Sequence, residues 1–115
     1  IDSQINVWGC RLFVGDFEKS LADAGLEGAL FQIVLKQDEA ARETIEIHIE
    51  HDDANSVRSE TFAAFLHEHS KDLGSTHPKE WVSAKLTVVH HLRGGIPRVA
   101  RTGKIKIVND QRFKS

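Results

Sequence analysis

The chain has 115 residues, 40% of them hydrophobic and 28% charged, which suits one globular domain with one core. Its 15 Lys and Arg against 17 Asp and Glu leave a net charge of −2, a balance that gives no footing for nucleic acid or an anionic membrane as partner. No apolar run approaches the roughly 20 residues of a membrane helix, no basic-then-apolar leader opens the chain, and the single cysteine, Cys10, excludes an internal disulfide and fits a reducing, cytoplasmic setting.

Ile5 and Val7 alternate with Asn6 and Trp8, a short strand signal, and Leu12 to Val14 returns as a second after Gly9 and Cys10. Asp16 suits a helix N-cap, with Phe17, Leu21 and Ala24 at helical spacing behind it and Gly25 as a stop. Leu30 to Lys36 reads as an apolar strand. Gln37 to Arg42 is a polar turn. Thr44 to Glu50 alternates, Ile45, Ile47 and Ile49 on one face and Glu46, His48 and Glu50 on the other, which predicts an antiparallel hairpin with one face on a core. A long helix is predicted from about Val57 to Leu73, capped by Asn55 or Ser56. Its stripe is Phe62, Phe65, Leu66, His69 and Leu73, and Gly74 follows it. Pro78 marks a loop. Val82 to His90 alternates as a strand, Gly94, Gly95 and Pro97 make a second loop, and Ile105 to Val108 forms a last short strand before a fraying polar tail. This order predicts an α+β fold: a small mixed or antiparallel sheet with two main helices on one face, preceded by a short N-terminal β-hairpin.

Seven histidines invite a metal hypothesis, but their spacing argues for none. His67 and His69 point about 200° apart on a helix, and His90 and His91 point to opposite faces of a strand. No base accompanies Cys10 locally, and no serine stands in a nucleophile-elbow pattern. Gly94-Gly95 lacks the spacing and the Lys-Ser or Lys-Thr of a phosphate loop. There remains the basic run from Gly95 to Asp110, containing Pro97, Arg98, Gly103 and Lys104. Alone, it reads as a basic loop before an edge strand.

That run resembles the last motif of the adenylate-forming (AMP-binding) superfamily of acyl-CoA synthetases, peptide-synthetase adenylation domains and luciferases, where a proline precedes Gly-Lys and a short strand. Here those positions are Pro97, Gly103 and Lys104. Ile96-Pro97-Arg98 before the lysine and Asp110 six residues after it look most like phenylacetate–CoA ligases. The start, Asp2 to Leu12, looks like that family's hinge and following segment. Asp16-Phe17-Glu18 matches its acidic helix start, and Phe31 to Leu35 its first long strand in this domain.

The resemblance implies a C-terminal lid domain over residues 1–115, with Asp2 as the hinge and the large N-terminal adenylating domain, its partner, absent. The chain has no methionine and opens with Ile1, which fits a piece of a longer enzyme. The full enzyme would use ATP with Mg2+ and coenzyme A on a small carboxylic acid, aromatic acids included. Lys104 would be the catalytic lysine for acyl-adenylate formation. Gly9 would then replace it at the site during thioester formation, and Arg11 would hold CoA phosphates or remain a solvated surface arginine. The chain alone would bind no cofactor tightly and be inactive. Two departures stand out: Ile107 where many relatives carry Arg, with Lys106 beside it, and the insertion Ser75 to Trp81. The alternative is a non-catalytic, ferredoxin-like binding or regulatory module, and an acceptor other than CoA stays open.

Overall fold

The computed structural model describes residues 3–51 and 56–112. The chain runs β1 (Gln4–Val7), β2 (Cys10–Phe13), α1 (Val14–Asp23), β3 (Leu30–Gln37), β4 (Glu43–Glu50), α2 (Ser59–His69), α3 (Lys71–Thr76), α4 (Lys79–Ala84), β5 (Leu86–His91) and β6 (Val108–Asp110). β1 and β2 form an antiparallel hairpin, and the other four strands form a mixed sheet in the order β5-β4-β3-β6. The fold is therefore α+β with an N-terminal hairpin, as the sequence predicts.

The period-two pattern of β4 decides the layering. Ile45, Ile47 and Ile49 are fully buried, and they meet Ile33, Leu35, Phe17, Phe62 and Leu66 in one core. The helices α1 and α2 touch through Phe17 and Phe62, whose ring centroids lie 6.3 Å apart. Antiparallel pairing places Ile33 opposite Ile47 and Leu35 opposite Ile45, so both central strands aim the same parity at the helices. The opposite parity (Gln32, Glu46, His48, Glu50) faces the other way, yet Gln32 and Glu50 are buried. The segment between β5 and β6 meets that second face: Gln32 Nε2 donates to the Lys106 carbonyl at 3.0 Å and Arg98 reaches Glu50.

Several details depart from the sequence pattern. Asp16 is not the cap of α1. Phe13 holds that place, and Asp16 accepts the Phe13 N–H from three residues on, at 3.0 Å. That is the acidic half of a capping box. The predicted long helix breaks at Ser70 (φ −95, ψ 109), whose hydroxyl accepts the Leu73 N–H and starts α3 on a new axis. Leu73 still reaches the core, so the stripe survives the break. Gly74 lies within α3 rather than beyond a helix, because a Cβ there would stand 2.9 Å from the His67 carbonyl oxygen. The helix α2 starts at Ser59 behind Arg58, past Ser56, while Asn55 lies outside the described residues.

The first residues predicted as a strand at Val82 instead belong to α4, which starts directly after Pro78, whose carbonyl accepts the Trp81 and Val82 N–H groups. Val82 and Leu86 are four apart and both buried, and that pair fits a helical turn as well as an alternation. The last strand is β6, three residues later than its predicted start, and it runs parallel to β3 with Ile33 opposite Val108. The tail is paired through Asp110, and Arg112 packs beside it with its side chain 8% exposed.

Candidate functional site

Lys104 stands at the base of a tight hairpin. The Val99 carbonyl accepts the Thr102 N–H at 3.1 Å and the Gly103 N–H at 2.7 Å, and the Val99 N–H donates back to the Lys104 carbonyl at 2.8 Å. This geometry, a type I turn followed by a left-handed residue, needs φ > 0 at its fourth turn position. Gly103 supplies it at φ +68. A Cβ there would meet nothing within 4 Å, so conformation alone sets the requirement. Gly103→Ala is therefore expected to destabilise the domain by about 1 kcal/mol, read from thermal unfolding of the chain. Lys104 is exposed, and no side-chain hydrogen bond or ion pair restrains its ammonium among the described residues.

The base of the hairpin is held firmly. Ile96 is 1% exposed. Arg98 forms a fork with Glu50 at the end of β4, Nη1 to Oε2 at 2.6 Å and Nη2 to Oε1 at 2.8 Å. The Ile96 N–H donates to the same carboxylate at 3.2 Å. The Arg98 guanidinium, with backbone N–H groups of Gly94 and Ile96, holds the Glu50 carboxyl at about 2, below its ordinary 4.5. A carboxyl depressed in this way stabilises the fold fully above its unfolded value and loses that contribution as pH falls through the folded one. Stability is thus expected to decline between about pH 4.5 and 2, and Glu50→Gln should flatten the decline there in pH-dependent thermal melts. Glu50 was only one more polar-face residue in the sequence; nothing there marks it as the anchor of a loop nearly fifty positions on.

Beside this loop, two histidine pairs join β4 to β5. His48 Nδ1 and His91 Nε2 lie 2.7 Å apart with stacked rings, and His48 Nε2 meets Glu46 at 2.9 Å. Because the carboxylate only accepts, His48 Nε2 carries the proton and, in neutral His48, Nδ1 accepts from His91. Burial and the neighbouring His48 push the His91 imidazole down, favouring its neutral form. On the other face His51 Nε2 and His90 Nδ1 are 2.9 Å apart. Among the described residues no group of three or more His, Cys, Asp or Glu is arranged to hold a metal ion. No described helix is long and apolar enough to cross a membrane.

Gly9 lies elsewhere, at the tip of the first hairpin. Val7 pairs with Cys10, leaving Trp8 and Gly9 as the whole turn, at φ 57 and φ 74. Two consecutive positive φ values are the signature of a type I′ turn, whose first position normally takes Asn, Asp or Gly. A tryptophan there is strained, at a cost of order 1–3 kcal/mol. Neighbours hold it in place. The Trp8 N–H donates to Glu43 Oε1 at 2.9 Å, and its indole N–H to the Glu43 carbonyl at 2.8 Å. His77 Nε2 donates to the Trp8 carbonyl at 2.9 Å. Trp81 meets the indole edge-on at 5.4 Å between centroids while stacking on His77 at 4.0 Å. The segment Ser75 to Trp81 thus packs on this turn, and Thr76 Oγ1 lies 3.0 Å from the buried Cys10 thiol.

Arg11 is exposed, and its backbone N–H donates to Asp72 at 2.7 Å. With Phe13, Asp16, Lys71, Asp72 and Ser75 it lines an open cleft beside β2. Lys104 and the Gly9–Arg11 segment therefore belong to two different hairpins, with no hydrogen bond or ion pair between Lys104 and that segment among the described residues. Pro97 is an exposed spacer between the buried Ile96 and the Arg98 fork. Asp2 lies outside the described residues. Ile107 is 39% exposed, and its carbonyl accepts the Ile33 N–H at 2.7 Å.

No protein-family model and no curated protein matches the chain. Among solved structures, a domain of phenylacetate–coenzyme A ligase from Bacteroides vulgatus ATCC 8482 has the same fold. It matches at a TM-score of 0.55 over 99% of this chain and 97% of that one, with 16% sequence identity.

Proposed function

We propose that this chain is the mobile C-terminal domain of an AMP-forming carboxylic acid–CoA ligase, with Lys104 as the lysine of its first half-reaction. The observation that carries the reading is the Lys104 hairpin: an unrestrained ammonium at the base of a turn whose own root is clamped by Arg98 and Glu50. A projecting cation on a fixed root is what a lid needs in order to deliver charge to a site on another domain. The end-to-end fold likeness to a domain of a phenylacetate–coenzyme A ligase supports it, as do the motif residues Pro97, Gly103 and Asp110.

In the first half-reaction a carboxylate oxygen attacks the α-phosphorus of ATP. An acyl–O–P bond forms, the bond to the β-phosphate oxygen breaks, and pyrophosphate leaves. Negative charge crowds the reacting centre, and an ammonium held there lowers the barrier by attracting the carboxylate and the phosphoryl oxygens. A lid can bring Lys104 in after the substrates and exclude water. In the second half-reaction the same domain swings about a hinge at Asp2 and presents the Trp8–Gly9 turn instead. Glycine at the tip lets backbone lie close to the pantetheine arm. The thiol sulfur attacks the acyl carbon, the thioester forms, AMP leaves, and Arg11 faces the CoA phosphates. ATP, its magnesium and the acid sit on the N-terminal domain in this reading.

The test measures the two half-reactions separately in the full-length enzyme carrying Lys104→Ala. Loss confined to acyl-adenylate formation supports the reading, and equal loss in both halves, or none, overturns it.

A further inference from the structure

Glu43 begins β4, far from Lys104 and from Gly9 in sequence, yet two of its bonds reach the first hairpin and a third meets Arg112. Its carboxylate takes the Trp8 backbone N–H and its carbonyl takes the Trp8 indole N–H. The second carboxylate oxygen meets Arg112 Nη1. Arg112 in turn donates to the Asn6 carbonyl of β1 at 2.6 Å, and grips Asp110 of β6 through Nε at 2.9 Å and Nη2 at 2.8 Å. One guanidinium, almost buried, thereby ties the strand that follows Lys104 to the hairpin that carries Gly9.

We propose that Glu43 is a positioning residue for thioester formation, locking the strained Trp8–Gly9 turn into its left-handed shape, with Arg112 and Asp110 fixing Glu43 against the strand that follows the lysine. The inference rests on the ligase reading for its function and on the hydrogen bonds alone for its structure. A tryptophan at φ 57 holds that conformation only while its surroundings over-determine it. Among the described residues, Glu43 alone hydrogen-bonds both its backbone N–H and its indole. Without the carboxylate the turn loses its backbone acceptor and Arg112 loses a counter-charge. The turn then relaxes, and small displacements at a reacting centre are expensive in rate.

The experiment has two arms. In the full-length enzyme, Glu43→Ala is expected to slow thioester formation from a supplied acyl adenylate at least about tenfold, more than it slows pyrophosphate exchange. Glu43→Gln, which keeps an oxygen acceptor for the Trp8 N–H, should recover most of that loss. Equal loss in both half-reactions, or an unaffected thioester step, overturns the proposal. In the 115-residue chain itself, hydrogen exchange at the Trp8 indole N–H reports the turn without catalysis. Its acceptor, the Glu43 main-chain carbonyl, survives the alanine substitution, so faster exchange there means that the turn has moved. Unchanged exchange overturns the proposal whatever the enzyme does. If exchange accelerates while Lys104→Ala leaves both half-reactions intact, the ligase reading fails and the structural clamp stands.

Discussion

Replacing Lys104 by alanine is expected to slow acyl-adenylate formation at least about 100-fold, equivalent to about 2.7 kcal/mol of barrier, while thioester formation from a supplied adenylate stays near the wild-type rate. The magnitude follows from the kind of interaction lost. Two anionic groups must approach each other, and the cation acts where water has been displaced, so its attraction is little screened. The selectivity follows from geometry. Lys104 and the Trp8–Gly9 turn sit on different hairpins, and the proposed lid presents one of them in each orientation. Lys104→Arg should not restore the rate, because a planar, delocalised guanidinium cannot replace a compact point charge on a flexible stem. Pyrophosphate exchange and single-turnover thioester assays separate these outcomes.

The second large effect is structural. Trp8→Ala is expected to destabilise the chain by about 3–5 kcal/mol, a sizeable share of the roughly 5–15 kcal/mol that holds a domain folded. Trp8 is 9% exposed, and its indole donates to the Glu43 carbonyl and packs on Trp81. Alanine removes those contacts yet keeps a Cβ at φ 57. Trp8→Gly should therefore be the milder substitution, by about 1 kcal/mol, reversing the usual order of the two residues in a strand or helix. Urea unfolding of both variants checks this. If glycine proves worse than alanine, the turn does not hold its left-handed shape in solution.

Much of this was legible in the sequence because periodicity survives translation into structure. Ile45, Ile47 and Ile49 alternate on paper and line one face of the core. Failures came where one residue serves two geometries. Val82 and Leu86 fit a strand face and a helical turn equally, and Pro78 with its accepting carbonyl decided for the helix. Ser70 could not be seen to break a helix, because its hydroxyl caps only once Leu73 turns to meet it. The site was half legible. Gly103-Lys104 stood out as a motif, and the hairpin explains why glycine precedes the lysine. Glu50, Glu43 and Arg112 were invisible because each acts on a residue about 35 positions away or more, through charges that any surface position could carry.

The strand β6 joins the sheet through three residues, paired with a strand from the first third of the chain. Loop-closure entropy must be met before such a contact gives anything back. The Lys104 segment is therefore expected to close late in folding, onto a core of β3, β4 and the helices. Between the Arg98–Glu50 fork and β6 the hairpin is exposed, and this stretch is expected to open locally below the free energy of global unfolding. Protease nicking after Arg101 or Lys104 should then follow local opening rather than denaturation, leaving the isoleucine core of β4 intact.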